Sequence, residues 1–427
     1  MTTAAPALPA WKRNAGLFIG GQTISLFGSM VVQYAVMWYV TLQTGSAIAV
    51  ALYAVCAFLP QGVVSIFGGV FADRVNRKAL IVAADTSTAL ATLGLAVLMM
   101  NGVTDLWVIL LACAVRSVGA GFQQPTVQAV IPQLVPQEHL LRVNGLFQTI
   151  QSGLALLGPA VSGAVFGAFG IVPVFFIDVV TALIGVGVLL LVTVPTLQAV
   201  SERTTGFRED LAEGARFIWH HGFIRWLMVL FAVIIVLTGS PSFVTPLLIA
   251  QEWGRDVWLL TVLELAFSIG MLLGGVAVST VLAKRSRIRM IVLSSFGFGV
   301  FSLGLGLVPS LWAFYALMFA FGAMVPLFSA PFMTLIQEAV PPEKQGRVFS
   351  YVTIVMALAF PLGMVAFGPI AEGAGVRALL VGTGVLAILV TGVAILLPSG
   401  RSAMRAASAG ATPAETAQQV EAEVDAG

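Results

Sequence analysis

The stretch Gly69-Val70-Phe71-Ala72-Asp73-Arg74-Val75-Asn76-Arg77-Lys78 separates two long apolar runs, one from about Ala47 to Phe71 and one from Ala79 to Met100. It packs one acid and three bases into a few residues between segments of membrane length. Such a cluster marks a short cytoplasmic hairpin, because basic residues in short loops are retained on the inner side. If these two runs cross a bilayer, the rest of the chain should repeat the arrangement.

Composition supports that reading. Hydrophobic residues make up 59% of the 427 and charged residues 9%, with a mean hydropathy of +1.00. Soluble domains carry roughly 25% charged residues, so this chain is built for lipid. Cys56 and Cys113 both fall inside apolar runs and suggest neither a disulfide nor a metal site. His139, His220 and His221 lie in polar stretches and cannot form a buried metal cage. No G-K-[ST] phosphate loop occurs, which argues against an ATP-driven motor, and a net charge of +2 carries no nucleic-acid signal. Lys12 and Arg13 precede the first apolar run without a small-residue cleavage site after it, so that run reads as the first span.

A helix needs about 20 apolar residues to cross the hydrocarbon core. Six such runs lie near 15–40, 47–71, 79–100, 106–128, 143–168 and 172–194. Six more lie near 223–249, 258–283, 290–308, 311–336, 346–371 and 376–397. The expected layout is a cytoplasmic N-terminus (1–14), a six-helix half (15–194), a cytoplasmic central interval (195–222), a second half (223–397) and a disordered cytoplasmic tail (398–427). Of the 21 Lys and Arg residues, Arg116 lies within a span and only Arg255 and Arg377 fall in odd-numbered loops. The other 18 (21 − 3) sit at the termini, in the central interval or in even-numbered loops, which predicts both termini in the cytoplasm. In the central interval, Phe207, Leu211, Ala215 and Ile218 recur at helical spacing opposite Arg208, Glu209, Glu213 and Arg216. That pattern predicts an amphipathic helix lying on the headgroups.

The two halves are related in sequence. Val135-Pro136-x-Glu138-x-x-x-Arg142-Val143 recurs as Val340-Pro341-x-Glu343-x-x-x-Arg347-Val348, an offset of 205 (340 − 135). Gly158, Gly163 and Gly170 return as Gly363, Gly368 and Gly375 in the same register. The predicted fold is an all-α membrane protein of twelve transmembrane helices in two six-helix pseudo-repeats, with a substrate site between the halves near mid-depth.

Ionisable groups inside spans cost about 3 kcal/mol at the bilayer centre, so each needs a reason to be there. Arg116 is about ten residues into the fourth span, near mid-depth. Asp178 and Glu264 lie roughly two turns in from the outer face, and Asp85 roughly two turns in from the inner face. Glu264 has no basic neighbour in sequence and sits among small residues, Gly270, Gly274 and Gly275. A carboxyl removed from water favours its neutral form, which makes Glu264 the leading candidate for carrying protons or meeting a cationic substrate. Asp178 is a second coupling candidate, with Arg116 as partner to a buried acid or part of the proton path. Asp85 reads as structural, close enough to the basic hairpin to be neutralised by it. Static hydrogen bonding between helices is the competing explanation for all of these carboxyls.

Gly158, Pro159 and Gly163 punctuate the fifth span, where proline kinks and glycine permits close contact. Thr238-Gly239-Ser240-Pro241 and Pro246 do the same in the seventh, which suggests a bending segment. Asp73 and Arg77, with Arg347 nearby, are expected to form an ion-pair latch on the inner face, since Asp73 adds nothing to positive-inside retention. The alternative is a purely topological role that holds the loop inside. Gln33, Gln123, Gln124, Gln148 and Gln151 could offer polar contacts to a substrate, although bonding helix to helix is the commoner role.

The phrase Gly69-x-x-x-Asp73-Arg74-x-x-Arg77-Lys78 resembles the loop signature between the second and third helices of the major facilitator superfamily, with Asn76 in place of a glycine. Asn is the side chain best able to keep a left-handed backbone there. Gly158-Pro159 through Gly163 resembles the fifth-helix signature of the superfamily's antiporters. Gly21-Gln22, Thr44-Gly45-Ser46, Arg116-Ser117-Val118-Gly119, Glu264 through Gly270 and Gly346-Arg347-Val348 extend the likeness to residues 11–397, and toward its macrolide-efflux branch. The resemblance implies proton-driven export of an amphipathic small molecule by a monomer in the bacterial inner membrane, without a metal or nucleotide cofactor. Siderophore export and proton-coupled nutrient uptake are the rival readings within the fold. A sugar site would need more polar side chains than these spans carry. A membrane enzyme should show a cluster of His, Ser or acids at one depth, and a non-transporting sensor should carry a soluble effector domain. Neither is visible.

Overall fold

The computed structural model describes residues 11–72, 75–194, 207–283 and 285–409. Every regular element among them is an α-helix. The first six are α1 (Trp11–Thr44), α2 (Ala47–Ala72), α3 (Arg77–Met100), α4 (Leu106–Leu134), α5 (Gln137–Phe169) and α6 (Ile171–Leu191). A shorter helix, α7 (Phe207–His220), precedes α8 (Gly222–Ser242), α9 (Thr245–Glu252), α10 (Val257–Ser279) and α11 (Arg287–Leu307). The chain continues through α12 (Leu311–Ala339), α13 (Pro342–Ala374), α14 (Val376–Leu396) and α15 (Pro398–Ala409). Twelve of these, all except α7, α9 and α15, are long and apolar enough to cross a membrane. They match the twelve runs read from hydropathy. Leu90, Leu183, Leu191, Leu293 and Trp312 stand exposed on the helix surfaces, as lipid-facing side chains should.

The helices divide into two compact units. The first holds α1–α6 together with Gly254–Thr261, and the second holds α7–α9 and the chain from Val262 onward. Each unit repeats one packing plan. In the first, α1 packs on α5 and α6, and α3 packs on α4 and α6. In the second, α8 packs on α13 and α14, and α11 packs on α12 and α14. The connection between α5 and α6 turns at Gly170 (φ 80°), and that between α13 and α14 turns at Gly375 (φ 90°). Both angles lie where L side chains are strained, so the repeat preserves glycine at positions 205 apart (375 − 170).

Four expectations change. The seventh span does not run unbroken from 223 to 249: α8 stops at Ser242 and α9 restarts at Thr245 with Pro246 in its first turn, where proline's missing N–H costs nothing. The central amphipathic helix forms as α7, but it lies on protein. A Cβ on Gly214 would meet the Arg347 carbonyl at 3.1 Å, Phe217 is 7% exposed, and Lys344 Nζ sits 4.8 Å above its ring. Gly214 and Phe217 of α7 meet α13, whereas Ala215 of the expected apolar face is exposed and Ile218 half-buried. The tail is not disordered from 398, since α15 occupies Pro398–Ala409 with Ser402 and Ala403 buried, while 410–427 lies outside the described residues. Asn76 differs in role as well. Its φ of −64° is not left-handed; it caps α3, accepting a 3.1 Å hydrogen bond from the Ala79 amide.

Helix α10 and helix α12 interlock through glycines. A Cβ on Gly322 would fall on the Phe267 carbonyl oxygen, and one on Gly270 would fall on the Phe319 carbonyl. Gly94, by contrast, faces open space. Gly322→Ala should therefore lower the thermal unfolding midpoint of the purified protein, costing about 1–3 kcal/mol through overpacking. Gly94→Ala should leave the midpoint unchanged or raise it, through the better helix propensity of alanine. Equal midpoints for the two variants would contradict this packing.

Candidate functional site

Four helices of the first unit, α1, α3, α4 and α6, bring buried polar groups together. Asp178 on α6 is 1% exposed and forms an ion pair with Arg116 on α4, whose side chain is 12% exposed. Thr92 on α3 donates to Asp178 Oδ2 at 2.7 Å, and Ser29 on α1 donates to Oδ1 at 3.0 Å. Both carboxylate oxygens are thus satisfied. Arg116 also donates to the Thr92 hydroxyl and, at 3.4 Å, to the Ser29 carbonyl. Gly28 makes the approach possible, because a Cβ there would come within 2.9 Å of the Asp178 Cα. Removing one member of such a pair strands the other charge, at a cost of roughly 3–5 kcal/mol.

About one turn along α1 lies a second polar cluster. Asp85 on α3 is 4% exposed, and its Oδ1 accepts from Ser25 at 3.1 Å and from the Gln123 amide. Gln123 also donates to the Gln22 carbonyl oxygen at 3.3 Å. The expectation that the basic hairpin neutralises Asp85 does not hold. Arg77 donates instead to the Ala129 carbonyl at 2.9 Å, and Lys78 donates to the Leu190 and Val192 carbonyls, both at 2.8 Å. The bases cap backbone at helix ends and leave Asp85 to neutral donors.

The remaining candidates are dispersed. Glu264 on α10 is half-buried and has no hydrogen-bond or ion-pair partner among the described residues. In α5, Gly158 faces Met30 and Tyr34 of α1, and a Cβ on Gly163 would collide with the Thr261 side chain, so both glycines mark close helix contacts. Pro159 lies within the helix without ending it. Gln123 is the candidate glutamine that joins a buried network; Gln33, Gln124 and Gln148 are exposed, and Gln151 is half-buried. Asp73 and Arg74 lie outside the described residues, and Gly69 falls in the last turns of α2. Arg347 pairs with Glu213 of α7 at 2.6 Å, an acid not anticipated for the latch. Gln22, Ser25, Ser29 and Thr92 were also missed, although Gln22, Ser25 and Ser29 lie at i, i+3 and i+7 on α1 and Thr92 lies seven residues after Asp85. That spacing places each set on one helix face.

The charge pair belongs to the first unit. At the repeat offset of 205, Arg116 corresponds to Phe321 and Asp178 to Thr383. Phe321 packs against Phe298 at 5.1 Å between centroids, while Phe231 stacks on Phe332 at 3.9 Å. Thr383 bonds to the Leu379 carbonyl within its own helix at 2.9 Å. At the position of Arg116 the second unit thus has a tilted aromatic pair in place of a charge. Among the described residues no group of three His, Cys, Asp or Glu side chains is placed to hold a metal ion.

Known proteins share this plan. Over residues 15–426 the chain matches the family described as transmembrane secretion effectors. It is 28% identical over 391 residues to macrolide efflux protein A of Streptococcus pyogenes, across 91% of this chain and 96% of that one. To the multidrug efflux pump Tap of Mycolicibacterium fortuitum it is 24% identical over 394 residues, across 87% and 92%. A solved bacterial homologue of the iron transporter ferroportin superposes with a TM-score of 0.72 at 15% identity, across 90% and 98%, a likeness that speaks for the fold alone. With twelve spans in two repeated units, the chain belongs to the transmembrane secretion effector family of major facilitator transporters.

Proposed function

We propose that this transporter exports an amphipathic small molecule, a macrolide or another drug, in exchange for protons, from the inner membrane of a bacterium with both termini in the cytoplasm. The substrate class follows from the similarity to efflux proteins for macrolides and for multiple drugs. Sidedness follows from the bias of Lys and Arg among the loops. The observation that carries proton coupling is Glu264, a carboxyl inside a span with no partner among the described residues. An isolated carboxylate in hydrocarbon is costly, whereas a carboxylic acid is not, so its charge state should change as the site gains and loses water. Asp178 is already neutralised by Arg116, and we assign that pair to holding α4 and α6 in register around the proton path.

Accumulation of a labelled macrolide in efflux-deficient bacteria tests this reading. Wild type should deplete the label, a protonophore should abolish depletion, and Glu264→Gln at equal membrane expression should lose it. Depletion that survives the protonophore would contradict antiport, and no depletion of any macrolide or unrelated drug would contradict drug export.

The contact between Gly163 and Thr261 yields a second expectation. Gly163→Ala should lower drug efflux several-fold by pushing Thr261 off the α5 surface, and Thr261→Ala in the same protein should restore part of it. Undiminished efflux by Gly163→Ala would remove any need for this close approach.

A further inference from the structure

We infer that Asp85, cradled by Gln22, Ser25 and Gln123, is a second proton-binding site, connected through α1 to the Arg116–Asp178 pair. Its role in transport rests on the proton-driven reading above; its existence as a site does not. Two buried polar atoms in the cradle lack a hydrogen-bond partner among the described residues: Asp85 Oδ2 and Gln22 Nε2. Asp85 is 4% exposed and Gln22 is 0% exposed, so bulk water does not supply what is missing. Thr23 Oγ1, Trp38 Nε1, Gln133 Nε2 and Ser162 Oγ are also buried without a partner among the described residues, but none of these is a carboxyl. Here a carboxylate oxygen free to take a proton stands in one cradle with an amide that can donate or accept.

Among the described residues no cation is bonded to Asp85. On α1 its neighbours Gln22 and Ser25 are neutral, and on α4 so is Gln123. The charged groups on the helices packed against α3 are Arg116 of α4 and Asp178 of α6, and these are paired with each other. On α3 itself, Arg77 and Lys78 are bonded to backbone carbonyls of other helices. A proton is the ligand that fits. Forming one O–H bond at Oδ2 converts the carboxylate to the neutral acid and consumes nothing else. Gln22 serves both states by turning its amide, donating through Nε2 to the carboxylate or accepting through Oε1 from the acid. Sodium fits less well, because the Gln123 Nε2 donor points at both Asp85 Oδ1 and Gln22 Oε1, where a metal ion would need free oxygens.

Geometry also links this site to the other carboxyl. Ser25 donates to Asp85 and Ser29 donates to Asp178, and these serines are one turn apart on α1, a rise of about 6 Å. On α3, Asp85 and Thr92 are two turns apart, and Thr92 donates to Asp178. Two carboxyls therefore share the same two helices, one compensated by a guanidinium and one by neutral donors alone. Protonation of Asp85 would alter the field at the ion pair and the register of α1 against α3.

Infrared titration of the purified full-length protein tests the site without transport. Beside any band that Glu264→Gln removes, wild type should show the C=O stretch of a further protonated carboxyl that disappears as pH rises. Asp85→Asn should lose that band, whereas Glu264→Gln should retain it. Gln22→Leu, which leaves the carboxyl in place, should move the midpoint of the band, and this variant decides the matter if Asp85→Asn does not fold. An identical band in Asp85→Asn, an unmoved midpoint in Gln22→Leu, or loss of the band on adding sodium at fixed pH would each overturn the inference. Drug export by proteoliposomes without proton counterflow, alongside the predicted band, would sink the antiport reading and leave the site standing.

Discussion

Burial of the Arg116–Asp178 pair is the constraint around which the first unit is arranged. A guanidinium and a carboxylate taken from water into a helical bundle lose several kcal/mol of hydration each, and only close pairing with added hydrogen bonds recovers it. Thr92, Ser29 and the Ser29 carbonyl supply those bonds from two further helices, so four helices must hold their relative rotation for the charges to be tolerated. Gly28 and Gly21 permit the α1–α6 contact on which this depends. Packing of small residues in lipid gains little from the hydrophobic effect, because lipid tails are as apolar as leucine. Directional polar contacts therefore carry a larger share of specificity here than in a soluble core.

The second unit reaches the same helix arrangement by other means. Glycine interlocks between α10 and α12 bring backbones together, and Phe321, at the position of Arg116, packs against Phe298. The duplication has preserved the connections, Gly170 and Gly375, while the interiors have diverged. Such divergence leaves the first unit with carboxyls held by donors, Asp85 and Asp178. It also isolates Glu264, which sits in the second unit without the donors that surround Asp85 and Asp178.

The fold was legible in the sequence because its determinants are local. Span length, loop charge and the repeated Val-Pro-x-Glu-x-x-x-Arg phrase each depend on residues close together in the chain. Breaks were less legible. The stop of α8 at Ser242 was anticipated only as a bend, since proline signals disruption without saying whether the helix resumes in line. α7 was legible as a helix from its apolar stripe, yet Gly214 and Phe217, which meet α13, lie outside that stripe. The candidate site was half visible. Arg116, Asp178 and Glu264 stood out as charges in apolar runs, whereas their neighbours Ser29 and Thr92 are ordinary in membrane helices. Asp85 was assigned to the basic hairpin by proximity in sequence, yet its hydrogen bonds go to α1 and α4, and Arg77 and Lys78 bond instead to backbone carbonyls. Those are long-range facts that no local pattern encodes.

The central claim is that Arg116 and Asp178 stabilise the first unit as a pair and not as separate contacts. A double-mutant cycle on thermal unfolding of the purified protein measures this, with Arg116→Met, Asp178→Leu and the combination. Each single variant should fall well below wild type, because it leaves an uncompensated buried charge, and the double variant should recover most of the loss. Additive losses in the double variant would mean that the two side chains act independently, and the account of the first unit given above would be wrong.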